Sequence, residues 1–450
     1  MTFTRLLGTA RGCLRLEPAL LVAFSARIWQ SLAGLGTIYF VVAYFSPETQ
    51  GYYQTFLSLI ALQAFLELGI IVAIISVVSH EWAGLVIGPS GAVTGAPDKC
   101  ARLSAATRFV AIWFSGLSAL LLVVGGSVGY AILSQHGHSD LWLAPWLAAV
   151  ATAAAFLWCQ GQIAVLEGCN QVFQVAVYRL VQAVASVLAL WVAVISGAEL
   201  WSLVAMLAAN LVCALVFLGF VYRHFLGGLL RSRTASSFRW RADIWPMQWP
   251  LALQGTTNYF MFSLFVPVLF TFHGVVEAGR MGLSLQVVLA LLGIATTWLT
   301  IAAPRMGTAF ASGDKARYER IWHGSALASM LVIGSGAIVI GIVIWFGASS
   351  GLALVARFLD PAPFWLLLAW GVSLHAVQCM ASYWRAQREE PMRFWGVVPG
   401  AVTGLAVWAL GRNYGSLGAA GAALAASLLV GLPLALFFFR RTRTGRASRG

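Results

Sequence analysis

The chain is predicted to be an all-α membrane protein of about twelve transmembrane helices, arranged as two six-helix lobes related by a pseudo-two-fold axis along the membrane normal. Three observations lead there. Of 450 residues, 60% are hydrophobic and 10% charged, with a mean hydropathy of +0.84, whereas a soluble domain carries roughly 25% charged residues. So few charges cannot cover a water-facing surface. The apolar residues also come in runs of about 18 or more, the length of a membrane helix, and nothing alternates like the short strands of a porin-type barrel. Finally, the Lys and Arg residues alternate between loops in the manner of a polytopic protein.

The first apolar run, Pro18–Phe45, is too long for a signal-peptide core and is read as a retained first helix. Eleven more follow: Tyr52–Val78, Ala106–Leu133, Leu141–Leu166, Phe173–Ile195, Leu200–Phe220, Met247–Phe272, Val276–Ala303, Ile321–Phe346, Pro363–Trp384, Phe394–Leu410 and Gly418–Phe439. With the N-terminus in the cytoplasm, the cytoplasmic segments hold 23 of the 28 Lys and Arg residues. The outside segments hold only Arg280, Arg357 and Arg412, while Arg27 and Arg179 lie within helices. A miscounted helix would scramble this alternation from that point on, so both termini are expected in the cytoplasm.

The longest basic linker, residues 226–245, divides the chain into an N-terminal lobe (1–225) and a C-terminal lobe (246–440), followed by a basic tail (441–450). The halves are weakly similar. Phe45–Gly51 joins helices one and two where His273–Gly279 joins helices seven and eight, and Leu200–Leu211 lines up with Leu417–Leu428. Two halves of the same orientation place a substrate site between them.

Several functions are excluded. The net charge of +13 sits in short loops between apolar runs, which argues against nucleic acid as a partner. The six cysteines lack metal-ligand spacing, so neither disulfides nor zinc are expected. Walker loops and HExxH are absent, no paired carboxylates face a common site, and the outside loops leave no room for a catalytic domain. A transporter without cofactor or metal is expected, not an enzyme.

A charge inside the hydrocarbon costs about 2.5–3.5 kcal/mol on insertion scales, so each one needs a reason. At 1.5 Å per residue, Arg27 lies ~13 Å, Arg179 ~9 Å, Glu67 ~16 Å and His375 ~13 Å from the cytoplasmic ends of their helices, close enough to share one layer. Arg27 and Arg179 suit a cationic cavity for an anionic head group, because the guanidinium fork matches phosphate oxygens. Snorkelling to the interface, or an ion pair with Glu67, would explain them as well. Glu67 is read either as a titrating coupling site or as a partner of Arg27, and His375 as a coupling group or a helix–helix hydrogen-bond donor. Gln254 and Asn258, four apart in helix seven, share a face that lines the cavity or packs between helices. Arg280, three residues from Glu277, is an exit-side contact or a local salt bridge. Arg305, after Pro304, is an uptake-side charge or an orientation anchor. The Arg440–Arg449 cluster suits anionic lipid.

Four further stretches carry a resemblance. Phe45–Tyr53 (FSPETQGYY), Leu66–Ile70 (LELGI), Ala303–Arg305 with Ser312–Asp314, and Tyr414–Ala423 (YGSLGAAGAA) resemble, in this order, the lipid-linked oligosaccharide flippases of the multidrug/oligosaccharidyl-lipid/polysaccharide (MOP) exporter superfamily, in the Wzx-type O-antigen and polysaccharide branch. The resemblance implies two lobes around a cavity that opens alternately to each side. It also implies an undecaprenyl-diphosphate-linked oligosaccharide as substrate, flipped to the periplasmic leaflet of a bacterial inner membrane, with polysaccharide polymerase machinery as a partner. The lipid II flippase branch usually adds helices and intramembrane arginines that this chain lacks, which favours the polysaccharide branch. A cation-coupled drug antiporter of related fold needs acidic groups, and Glu67 is the one clear mid-helix acid. A glycan polymerase or ligase needs a larger outer loop. A major-facilitator transporter would carry a charged Gly-Asp-Arg type loop after helix two, where Ser79–Cys100 has none.

Overall fold

The computed structural model describes residues 18–67, 69–88, 91–137, 139–231, 240, 244–387 and 395–447; the side chains of Arg27, Gln254 and Asn258 fall outside that description. The protein is a two-lobed, membrane-spanning helical bundle, and among the described residues the predicted apolar segments fall mainly on helix. In chain order the helices are α1 (Pro18–Tyr44), α2 (Pro47–Ile60), α3 (Leu62–Glu67), α4 (Ile70–Trp82), α5 (Pro97–Leu120), α6 (Gly126–Leu133), α7 (Ser139–Gly168), α8 (Val172–Ile195), α9 (Trp201–Val216), α10 (Arg223–Arg231), α11 (Trp245–Phe262), α12 (Phe265–His273), α13 (Val275–Ala311), α14 (Lys315–Ser349), α15 (Pro361–Arg385), α16 (Val397–Ala426) and α17 (Leu432–Ala447). Among the described residues, eight helical stretches are long and apolar enough to cross a membrane by length and composition. One of these, Val397–Thr442, turns back on itself at Gly415 (φ +63°, ψ −148°), so that it makes two passes. Gly418 lies so close to the turn that a Cβ there would sit 2.2 Å from the Leu410 carbonyl oxygen.

Local chemistry sets the ends and the breaks. Ser46 caps α2 by accepting the Thr49 N–H at 3.0 Å, ahead of Pro47 at the first helical turn. Asp314 caps α14 through Arg317 N at 2.9 Å. Two segments predicted as continuous helices are interrupted. Tyr52–Val78 spans α2, α3 and α4, and the chain re-enters helix only after Gly69 at φ +68°, a conformation that glycine adopts without strain. Met247–Phe272 breaks between α11 and α12 at Ser263. Pro267 lies four residues on, where its ring excludes the Ser263 carbonyl and it has no N–H to donate. Pro433 has the same relation to Leu429, within the π-helical turn Ser427–Gly431 that joins α16 to α17. The segment predicted as loop over Ser79–Leu103 holds a two-residue hairpin, Val86–Ile87 (β1) against Val93–Thr94 (β2), before α5 begins.

In the first lobe α8 packs on α1 and α9, and α7 on α4, α5 and α9; in the second, α13 packs on α12, α14 and α15, and α16 on α11, α12 and α15. The lobes meet chiefly where α2 crosses α13 and α12. Their apolar cores are joined at one end only. Near the ends of α1, α8 and α12 a single cluster unites Phe45, Tyr52, Trp146 and Leu190 with Phe265, Phe270, Leu285 and Trp370. At the end bearing Arg102, Arg223, Lys315 and Arg385 (hereafter the basic face), each lobe has its own core: one around Leu103, Phe114, Leu166 and Phe225, the other around Met306, Tyr318, Trp322 and Tyr383. Large apolar side chains such as Phe220, Trp345, Phe346 and Leu429 remain exposed on the outer surface, as lipid contact requires.

Candidate functional site: a polar cavity between the lobes

With the cores joined at one end and separate at the other, a cavity of about 800 Å³ is left between α1, α2, α7, α8 and α9 of the first lobe and α13 of the second. Its size falls within the range of small-molecule sites. The lining is unusual for a membrane interior because nine of its side chains carry hydrogen-bonding groups: Thr37, Tyr53, Gln160, Arg179, Gln182, Ser186, Asn210, Gln286 and Thr297. Gln182 donates to Asn210 Oδ1 at 3.1 Å, and Trp191 Nε1 donates to Thr37 Oγ1 at 3.0 Å. Among the described lining residues the only charge is the Arg179 guanidinium, and no carboxylate lines the space.

Arg179 Nη2 pairs with Glu167 Oε2 at 2.6 Å, but the arginine side chain is 52% exposed and the glutamate 19%. An exposed pair of this kind contributes about 0–1 kcal/mol. A ligand bearing phosphate can therefore take the guanidinium from Glu167 at small cost.

Opposite the basic face the cavity is closed by the seam between α2 and α13. Gln50 Nε2 donates to Gly279 O and to Arg357 O, both at 3.0 Å, and Gln286 Nε2 donates to Gln54 Oε1 at 3.0 Å. Arg357 Nη2 donates to the Phe45 carbonyl, and His136 Nε2 to the Phe270 carbonyl. Glycines allow the approach: a Cβ on Gly279 would lie 2.9 Å from Gly51 Cα.

The other candidates are dispersed. Glu67, at the end of α3, accepts from Gln63 Nε2 at 3.0 Å and does not line the cavity. Its expected partner, the Arg27 side chain, lies outside the described residues, as do Gln254 and Asn258. His375 is fully buried in α15 and does not line the cavity. Arg305 is exposed near the basic face. Arg280 makes no ion pair with Glu277 within 4.0 Å; it lines a separate cavity of about 240 Å³ with Arg357. The sequence reading missed Gln160, Gln182, Asn210, Gln286 and Arg357. Four of these, Gln160, Gln182, Asn210 and Gln286, interrupt apolar helices, and that polar interruption is the available signal.

No protein-family model matches the chain, and no curated protein sequence matches it. Solved structures do. An inward-facing multidrug resistance MATE family transporter of the MOP superfamily aligns with a TM-score of 0.61 at 12% identity, over 94% of this chain and 99% of that one. The fold is that of the MOP-superfamily transporters. Lipid II flippase MurJ in an inward closed conformation aligns with a TM-score of 0.66 at 12% identity, over 94% of this chain and 87% of MurJ. A MOP-superfamily transporter from Pyrococcus furiosus, described as having a binding pocket of reverse polarity that suggests a different function, aligns at 0.54 and 14% identity, over 96% and 98%. At these identities the shared property is the MOP-type fold, which drug transporters and a lipid flippase both use. What the protein does must therefore be argued from its own cavity.

Proposed function

We propose that the protein moves an undecaprenyl-diphosphate-linked oligosaccharide, an O-antigen or exopolysaccharide repeat unit, from the cytoplasmic to the periplasmic leaflet of a bacterial inner membrane by alternating access. The observation that supports this best is the makeup of the cavity lining: one guanidinium, eight neutral hydrogen-bonding side chains and, among the described residues, no carboxylate. Arg179 supplies the charge-assisted donors that a diphosphate needs. The amides of Gln160, Gln182, Asn210 and Gln286 both donate and accept, which suits sugar hydroxyls. The polyprenyl tail stays in lipid while the head group crosses, so transport calls for rocking of the lobes and no bond chemistry. Arg27 stands seven residues, two helical turns, before Gly34 of the lining, and we assign it to the same cationic path. The basic face, with both termini, is the cytoplasmic one on this reading, and polysaccharide polymerase machinery would receive the product.

A cation-coupled drug antiporter of the same fold is the competing reading. It calls for acidic groups in the cavity, whereas Glu67 stands outside the lining with Gln63. The test is surface polysaccharide in a deletion strain, with lipid-linked intermediates extracted and assigned to leaflets. Loss of surface glycan with intermediates held on the cytoplasmic side is expected. Normal glycan together with lost drug efflux would overturn the proposal in favour of the antiporter.

A further inference from the structure

The face opposite the basic one is nearly free of positive charge. Of 28 Lys and Arg residues the sequence places three there, Arg280, Arg357 and Arg412. Two of the three converge. Arg280 from α13 and Arg357 from the 3₁₀ turn Val355–Arg357 line one cavity of about 240 Å³, together with Pro47, Gln50 and Ala356. Two guanidinium groups facing one space repel each other and lose hydration, so a counter-charge is expected between them. Among the described residues neither forms an ion pair within 4.0 Å. Arg280 Nε and Arg357 Nη1 are enclosed and have no hydrogen-bond partner. Burial accordingly pulls the Arg357 pKa below its ordinary value. Arg412, by contrast, lies 5.0 Å over the Phe272 ring and does not line this cavity.

We propose that Arg280 and Arg357 form a binding site for a phosphate-class oxyanion beside the seam that closes the central cavity. Guanidinium pairs favour phosphate oxygens over halide because their donors match its geometry. The site is also tied to the seam. Arg357 holds the Phe45 carbonyl through Nη2, and its own carbonyl accepts from Gln50, which bridges to Gly279. An oxyanion that draws the Arg357 guanidinium into the cavity competes with Phe45 and loosens the contact between the lobes. On the flippase reading, the occupant is the head-group phosphate on its way out. A phospholipid head group presents the same chemistry, and the site as such requires only the phosphate.

The experiment is calorimetric titration of the detergent-solubilised full-length protein with two soluble probes, sodium pyrophosphate and glycerol phosphate, in chloride buffer. Among the described residues the Arg280 side chain makes no hydrogen bond, so Arg280→Gln is the variant least able to disturb the fold, and its elution on size exclusion should match wild type. Saturable binding is expected, weakened at least tenfold in Arg280→Gln, partly restored in Arg280→Lys and unchanged in Arg412→Gln. Preference for pyrophosphate would assign the site to a diphosphate head group, and preference for glycerol phosphate to a phospholipid. Failure of both probes to bind, or binding lost in Arg179→Gln but kept in Arg280→Gln, would overturn the proposal. A failed flippase reading would show instead as normal surface glycan in the deletion strain, with these titrations unaffected.

Discussion

Gly51 is the position where one added methyl group should change the working of the molecule. A Cβ built there would lie 2.1 Å from the Val275 carbonyl oxygen and 2.7 Å from its carbonyl carbon. These are backbone atoms of α13's first residue, which cannot rotate away as a side chain can. Restoring ordinary contact at 3.4 Å requires α2 and α13 to part by about 1.3 Å. The neighbouring pair is equally tight, with Gly279 directed at Gly51 Cα, so the strain cannot be relieved by sliding one turn along. Overpacking of this kind costs typically 1–3 kcal/mol. On the alternating-access proposal the cost falls on the conformation with the seam closed, because the other state would hold the two helices apart. Gly51→Ala should therefore shift the balance of the two states by about 5–150-fold toward the one open opposite the basic face.

The assay is pulsed electron resonance between spin labels at Gln135 and Leu354, both exposed on that face and carried by different lobes, in a background without native cysteines. The wild type should give mainly the short separation, and Gly51→Ala should populate a longer one, with slower transport because the cavity no longer resets. An unchanged distance distribution in a protein that elutes and inserts normally would refute the view of this seam as a rigid closure.

Three further outcomes follow from the same geometry. Arg179→Gln should lower transport about 10–100-fold, the equivalent of one charge-assisted hydrogen bond of 1.5–3 kcal/mol, with partial rescue by Arg179→Lys; Glu167→Gln, which frees the guanidinium, should retain transport in the same leaflet assay. Cys169, in the turn between α7 and α8, is fully buried, and burial pushes its thiol up to about 12. The reactive thiolate is thus about a thousandfold depleted at pH 9, so maleimide should spare Cys169 in the native protein, gain roughly tenfold in rate per pH unit, and label it at once after denaturation, as mass spectrometry would record. Gly415→Ala forces a side chain into φ +63°, ψ −148° at the reversal between the last two passes, backbone space used almost only by glycine, at about 1–3 kcal/mol, and should lower the thermal midpoint in detergent.

The fold was legible because it rests on two quantities a sequence carries openly: the length of apolar runs and the side on which arginines fall. The interruptions were less so. Pro267 and Gly69 are visible in the sequence, but a proline breaks a helix only if the preceding turn can accept its cost, and in membrane helices it is often tolerated. The site was legible only in part. Arg179 stood out as a charge in an apolar run, and it does line the cavity. His375 stood out for the same reason and is sealed inside the second lobe, because depth along a helix says nothing about the direction a side chain faces. Gln182, Asn210 and Gln286 carry no charge and so raised no alarm. Their role comes from three different helices meeting around one space, which is a property of the packing. Arg357 was counted as an ordinary loop charge, and its convergence with Arg280 joins residues 77 positions apart.

The seam also bears on energetics. Among the described residues five side-chain hydrogen bonds cross it: Gln50 to Gly279 and to Arg357, Arg357 to Phe45, Gln286 to Gln54, and His136 to Phe270. At a net value of about 1 kcal/mol each, they hold the closed state by roughly 5 kcal/mol. Moving a two-state equilibrium from 1:99 to 99:1 requires a ligand to prefer one state by about 5.5 kcal/mol. The hydrogen-bonded part of the seam is thus of that order, and on the alternating-access proposal a head group would have to offset it together with the apolar cluster that unites Phe45 and Tyr52 with Phe265 and Phe270, both of which reform on its departure. A seam made only of aromatic packing would have lacked this reversibility, because apolar surface once parted gains nothing from water. Amide and guanidinium groups do gain, since water replaces their partners when the lobes separate. On the alternating-access proposal, the placement of Gln50, Gln54 and Arg357 on the line where the lobes meet is thus what repeated opening and closing requires.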